Sequence, residues 1–306
     1  MPANVQFLVP ELPDVTVYVE ALTSHVVGHS LTRVALKSPF VLRSVTPPID
    51  ALSGKTVRHV RRIGKRIALE FGNDSPDDAL FLVIHLMIAG RLRWRKPAEK
   101  LGFGGKMLLA SFVFPHGTLF LTEASSKKRA SIELVRGEEA LALVNPGGIE
   151  PLTATLEQFR MALVKENHTL KRALTDPHLF SGIGNAYSDE ILHAAKLSPL
   201  KLTHSMHEEE IARLHDATRA TLVVWIDQLR RELHGRFPEK VTAFHEAMAV
   251  HGRYKQPCPV CAAPVQRIVY AENECNYCAR CQTGGRVLAD RSLSRLLKDD
   301  WPRELS

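Results

Sequence analysis

The sequence predicts an α+β protein with a mostly β first half, a helical second domain and a small cysteine-bound hairpin near the carboxyl end. Three observations carry this prediction. Short apolar runs separated by turn residues fill residues 10 to about 145, helical spacing begins after the NPGG turn at 145–148, and all five cysteines fall between 258 and 281.

The first half opens with a helix predicted over about 14–27, with Asp14 after Pro13 near its start. Val26-Val27, Ile67-Ala68-Leu69, Leu80 to Ile84 and Met107 to Phe114 are short apolar runs. GNDSPDD at 72–78 and PHG at 115–117 are turn signals between them, so this half is predicted as a sandwich or barrel. The spacing then predicts helices over 155–165, 168–176, 185–196 and 207–234. The last is acidic at its start and basic near its end, as the helix dipole favours. Residues 235–257 are of mixed character, and a basic tail over 282–306 includes a short predicted helix at 290–298.

Cys258-Pro-Val-Cys261 and Cys278-Ala-Arg-Cys281 form a C-x2-C-x16-C-x2-C pattern. Each pair can grip one edge of a tetrahedral Zn²⁺ from a tight turn, and the residues between the pairs can form a hairpin. Four protein ligands leave no open position for water, so the predicted zinc is structural. Cys275 is read as a small packed residue and not as a fifth ligand.

With 40 Lys and Arg against 33 Asp and Glu, the chain carries a formal charge of +7, which favours a polyanionic partner. No run approaches the roughly 18 apolar residues of a membrane span. The opening MPANVQFLV lacks the flank and core of a secretory signal, so a cytoplasmic protein is expected.

Pro10-Glu11-Leu12-Pro13-Asp14-Val15 resembles the PELPEV opening of the formamidopyrimidine-DNA glycosylase/endonuclease VIII family. The resemblance continues through RRIGKR at 61–66, IHLMIAGRL at 84–92, GGIEPL at 147–152, SGIGNAYSDEIL at 181–192 and HGRYKQPCPVC with YCARCQ at 251–282. It implies a two-layered β-sandwich over 10–145, a helix-two-turn-helix domain over 150–240 and a zinc finger over 250–282, followed by the basic tail, with double-stranded DNA bound in the cleft between domains. It also implies a monomeric bifunctional DNA glycosylase/AP lyase that excises damaged, oxidised bases. The amine of Pro10 would attack the sugar C1′, Glu11 would act as general acid or base and Lys65 would assist β-elimination. Lys171 and Asn185 would contact phosphates. Asn185 can also cap the helix that follows Gly182-Ile183-Gly184.

The chain departs from that family in three places. Nine residues precede Pro10, and an internal proline has no amine to offer. Initiation at the Val9 codon would place Met there, and removal of that Met would expose Pro10, making residues 1–9 an extension absent from the mature protein. In the finger, Asn273 stands where the family carries an arginine used on the lesion phosphate, and Arg286 is a candidate substitute. Among the lesion-reading elements, the family's HLGMSG methionine aligns with Ile88, next to Met87, and EASSKKRAS at 123–131 replaces the DPRRFG-type loop, leaving Lys127, Lys128 and Arg129 to touch phosphates or the orphaned base. One rival reading is a non-catalytic damaged-DNA-binding protein on the same scaffold. Another is a zinc-ribbon transcription or RNA module, which would explain the cysteines but neither PELPDV nor SGIGNAYSDEIL.

Overall fold

A computed structural model describes residues 9–72, 78–239, 245–270 and 273–288. The predicted helix at 290–298, most of the 72–78 turn and residues 1–8 lie outside them. The chain divides into two compact units, one of residues 1–146 and 226–242, the other of 147–225 and 243–306.

The first unit is a two-sheet sandwich. Helix α1 (Leu12–Val26) leads into β1 (Arg33–Leu36), β2 (Val57–Ile63), β3 (Arg66–Phe71), β4 (Leu80–His85), β5 (Gly90–Arg95), β6 (Leu108–Phe114), β7 (Gly117–Glu123), β8 (Ser131–Arg136) and helix α2 (Gly137–Val144). One sheet has the order β1-β6-β7-β5 and the other β2-β3-β4-β8, with antiparallel pairing throughout. In β5, buried Gly90, Leu92 and Trp94 alternate with half-buried Arg91, Arg93 and Arg95, as expected of a strand with one face on the core. In β4, Leu80, Leu82 and Ile84 face the main core, and Phe81 and Val83 join a second cluster with Leu141 of α2. Covering both faces explains why β4 reads as a continuous apolar run.

Val15, Tyr18, Leu22 and Val26 of α1 enter the main core at helical spacing. The Val26-Val27 run closes this helix, in keeping with the predicted span of about 14–27: Val26 is its last residue and Val27 its C-cap. Leu229, Leu233 and Phe237 pack against the same core, so residues beyond 226 belong with the sandwich although the sequence places them in the helical domain.

The second unit contains α3 (Leu156–Leu163), α4 (Leu170–Thr175), α5 (Asn185–Ala194) and the first part of α6 (Glu208–Leu233). Thr155 and Gln158 form a capping box on α3, and Thr169 caps α4. Phe159 and Phe180 pack with ring centres 4.8 Å apart. The cysteine hairpin belongs to this unit: β9 (Gln266–Tyr270) pairs antiparallel with β10 (Asn273–Tyr277), and the short helix α7 (Ala279–Thr283) follows.

Candidate active site and metal centre

Pro10 is buried and immediately precedes Glu11, the residue before α1. Glu11 occupies the N-cap, where it forms a reciprocal capping box with Asp14. The Glu11 N–H donates to Asp14 Oδ2 at 2.8 Å, and both side chains are buried. Burial pushes the Asp14 carboxyl up to about 7. The Glu11 N–H opposes that rise, the Glu11 charge adds to it, and Arg91 opposes it. Among the described residues, Asp14 Oδ1 and the Tyr18 hydroxyl, one helical turn apart, are buried without a hydrogen-bond partner.

Lys65 lies in the turn between β2 and β3, after Gly64 at φ 58°. Its neighbours include His85, whose imidazole is lowered to about 4 by burial and by the charges of Arg66 and Lys65. That histidine is therefore neutral at physiological pH. Three arginines of β2 are engaged: Arg61 pairs with Glu70 and Glu138 at 2.9 and 2.6 Å, Arg62 donates to the Gly64 carbonyl and Arg58 to that of Gly72.

Two loops meet beside the start of β5. Ile88 is half-buried in the turn between β4 and β5, and Met87 before it takes φ 51°, a left-handed conformation that favours glycine. Gly90 is required there, because a Cβ would lie 2.2 Å from the Leu86 carbonyl oxygen and 3.0 Å from Ala130 Cβ. Gly90 also pairs with Glu123, whose buried carboxylate organises the other loop. Its oxygens accept from Ser125 Oγ at 2.9 Å, the Arg129 N–H at 2.8 Å and the Ala130 N–H at 3.0 Å. Lys127, Lys128 and Arg129 are consequently presented on an exposed loop fixed from beneath.

In the second unit, Lys171 is buried. Its ammonium donates to Asp189 Oδ1 at 2.5 Å and to the Asn185 carbonyl at 2.6 Å. Asp189 is wholly buried and also accepts from His251 Nδ1 at 2.8 Å and the Asn276 N–H at 3.0 Å. Desolvation would raise its pKa, but Lys171 and His251 outweigh that and hold it below the usual value. Asn185 does not cap α5. Gly184 is the N-cap in extended backbone, and Asn185 Nδ2 instead donates to the Glu274 carbonyl at 2.9 Å. Asn273 opens β10 opposite Tyr270, and its side chain lies outside the described residues.

Cys258, Cys261, Cys278 and Cys281 converge, with all four sulfurs within 4.8 Å of one another. Cys258 and Cys281 are 3.9 Å apart and Cys261 and Cys278 are 3.4 Å apart. A tetrahedron with metal–sulfur bonds of about 2.3 Å has edges of about 3.8 Å, so the donor set fits a tetrathiolate metal site. Cys275 stands apart, buried with Ile268, Tyr277 and Leu288.

The family model for the formamidopyrimidine-DNA glycosylase N-terminal domain matches residues 9–127, and that for the H2TH domain of the same glycosylase matches 148–231. The chain belongs to the formamidopyrimidine-DNA glycosylase family. It is 31% identical to the formamidopyrimidine-DNA glycosylase of Heliobacterium modesticaldum, over 89% of this chain and 99% of the relative. An uncharacterized formamidopyrimidine-DNA glycosylase-like protein of Mycobacterium tuberculosis is 36% identical over 49% of this chain and 94% of its own length. Among solved structures, Lactococcus lactis Fpg in complex with abasic-site DNA superposes with a TM-score of 0.77 at 26% identity, covering 89% of this chain and 99% of that one.

Within this glycosylase family frame, the N-terminal match begins at Val9, directly before Pro10, and ends at Lys127 inside the substituted basic loop. Asp14, His85, Asp189, Glu190 and His193 are polar groups that sequence reasoning did not select. Asp14, His85, Asp189 and Glu190 lie inside the motifs quoted for the family, whereas His193 lies just beyond one and is recognisable only through Cys258, 65 residues away.

Proposed function

We propose that the protein is a bifunctional DNA glycosylase/AP lyase of base excision repair, a cytoplasmic monomer that acts on oxidised bases in double-stranded DNA and carries one structural Zn²⁺. The observation that carries this reading is the placement of Pro10 and Glu11 side by side at the start of α1, where the family match begins. In the active form the chain begins at Pro10, so that its nitrogen is a secondary amine. The amine attacks C1′, the damaged base leaves with the glycosidic electron pair, and Glu11 protonates the ring oxygen as the sugar opens. The resulting iminium acidifies the C2′ proton. Its removal expels the 3′ phosphate with Lys65 assisting, and water then hydrolyses the iminium and restores the amine.

Lys127, Lys128 and Arg129 support DNA binding as cations on a loop preorganised by Glu123, and Ile88 is the candidate for filling the gap left by the everted nucleotide. Cys258, Cys261, Cys278 and Cys281 would hold the zinc, which would fix the hairpin and leave no position for a reacting water.

The test is reductive trapping. A protein beginning at Pro10 is expected to be fixed covalently to abasic-site DNA by borohydride, and one retaining residues 1–9 is not. Equal trapping of both without processing would move the nucleophile to a lysine, and trapping of neither would leave the non-catalytic damaged-DNA-binding reading.

A further inference from the structure

One face of α5 is occupied by the cysteine hairpin and the segment leading into it. Asn185 donates to the Glu274 carbonyl, and Asp189 accepts from Asn276 and His251. Glu190 accepts the N–H groups of Ala249, Val250 and His251 at 2.7 to 2.9 Å. One turn beyond Asp189, His193 Nε2 lies 3.3 Å from Cys258 Sγ. Both His193 and Cys258 are buried, at 6% and 2% exposure. The first three contacts involve backbone or non-ligand side chains of the finger. The fourth reaches a ligand atom.

We propose that His193 is a positioning residue for the metal centre, donating its Nε2–H to the Cys258 thiolate and thereby joining the bound zinc to α5. The proposal rests on the zinc reading given above. A metal-bound thiolate has no proton to give, so a hydrogen bond at this distance requires His193 to be the donor, in the Nε2–H tautomer. Four thiolates around Zn²⁺ leave a net charge of two negatives. A buried N–H aimed at one sulfur offsets part of that charge, strengthens retention of the metal and fixes the orientation of the ligand. The sulfurs most in need of such a donor are the buried ones, since water cannot serve them; Cys258 and Cys278 are buried whereas Cys261 and Cys281 are partly exposed, and of the buried pair Cys258 is the one that His193 reaches.

Three measurements on the full chain test this. The first is zinc retention against a competing chelator. His193→Phe, which keeps a ring but has no N–H, is expected to lower zinc affinity about ten- to a hundred-fold, and His193→Gln, whose Nε2 can reach the same sulfur, to recover most of it. The second uses Co²⁺ in place of zinc. Loss of the hydrogen bond raises the energy of the thiolate lone pairs, so the sulfur-to-cobalt charge-transfer band is expected to move to longer wavelength in His193→Phe and to return in His193→Gln. The third needs no variant and therefore does not depend on the folding of one. In wild type loaded with ¹¹³Cd, the Hε2 proton of His193 is expected to be slow to exchange and coupled through the sulfur to cadmium. An Nδ1–H tautomer, an unchanged cobalt band or equal retention by wild type and His193→Phe would overturn the proposal. A chain that binds no zinc at all would overturn the zinc reading and this proposal together.

Discussion

Asp14 Oδ2 accepts the Glu11 N–H at 2.8 Å, which ties the carboxyl of one acidic residue to the backbone of another at the start of α1. Asp14 is raised from 3.8 to about 7 by burial, so in that window the folded chain holds a proton that the unfolded chain has lost. Stability contributed by this group is present at low pH and falls as pH rises toward about 7, by on the order of 4 kcal/mol at most. Asp14→Asn cannot ionise, so its melting temperature relative to wild type should be higher at about pH 8 than at about pH 5. The same difference at both pH values would mean that Asp14 is ionised throughout.

Lys171 and Asp189 form a pair in which the carboxylate has no exposure. Lys171→Met removes one partner and leaves that charge with His251, which should destabilise the second unit by about 3 kcal/mol. Adding Asp189→Asn should restore much of the loss. Urea unfolding checks both. If Lys171→Met instead weakens DNA binding with unchanged unfolding, the lysine serves phosphate and not the fold.

Metal removal should act on the second unit alone. Chelation or Cys278→Ala should weaken DNA binding while the sandwich keeps its unfolding transition, since that unit has its own core. Full-strength binding by metal-free protein would exclude a role for the finger in DNA contact.

Asn273 bears on the products. Asn is a poor acid, so strand cleavage should stop mainly after β-elimination, leaving an unsaturated-aldehyde 3′ end that gel analysis distinguishes from a 3′ phosphate. Asn273→Arg should shift products toward the phosphate and tighten binding by about 1–3 kcal/mol. If wild type already yields mainly 3′ phosphate, another group donates that proton, and Arg286→Ala is the next variant to test.

What could be read from the sequence follows from what each signal encodes. The paired cysteines were legible because metal geometry fixes their spacing, and the helices because core contact repeats every 3.6 residues. Asn185 was read as a cap from its residue type, but its amide is taken by Glu274, 89 positions along the chain. His193 and Asp189 look like ordinary polar helix positions, and their partners in the finger are 65 and 62 residues away. Met87 is the converse case: its φ of 51° marks the position that is glycine in the family pattern, and no property of methionine announces it.

Helix α6 has a consequence for how the protein is made. Its last turns and the residues after it supply Leu229, Leu233 and Phe237 to the sandwich, and Arg230 pairs with Glu20 at 2.6 Å. When Pro146 leaves the ribosome the sandwich still lacks those side chains, and the whole stretch 147–225 must be synthesised before they arrive. The nascent sandwich waits with an uncovered apolar surface, an opening for chaperone capture or aggregation. For the same reason, a fragment ended at Pro146 is a poor candidate for separate expression.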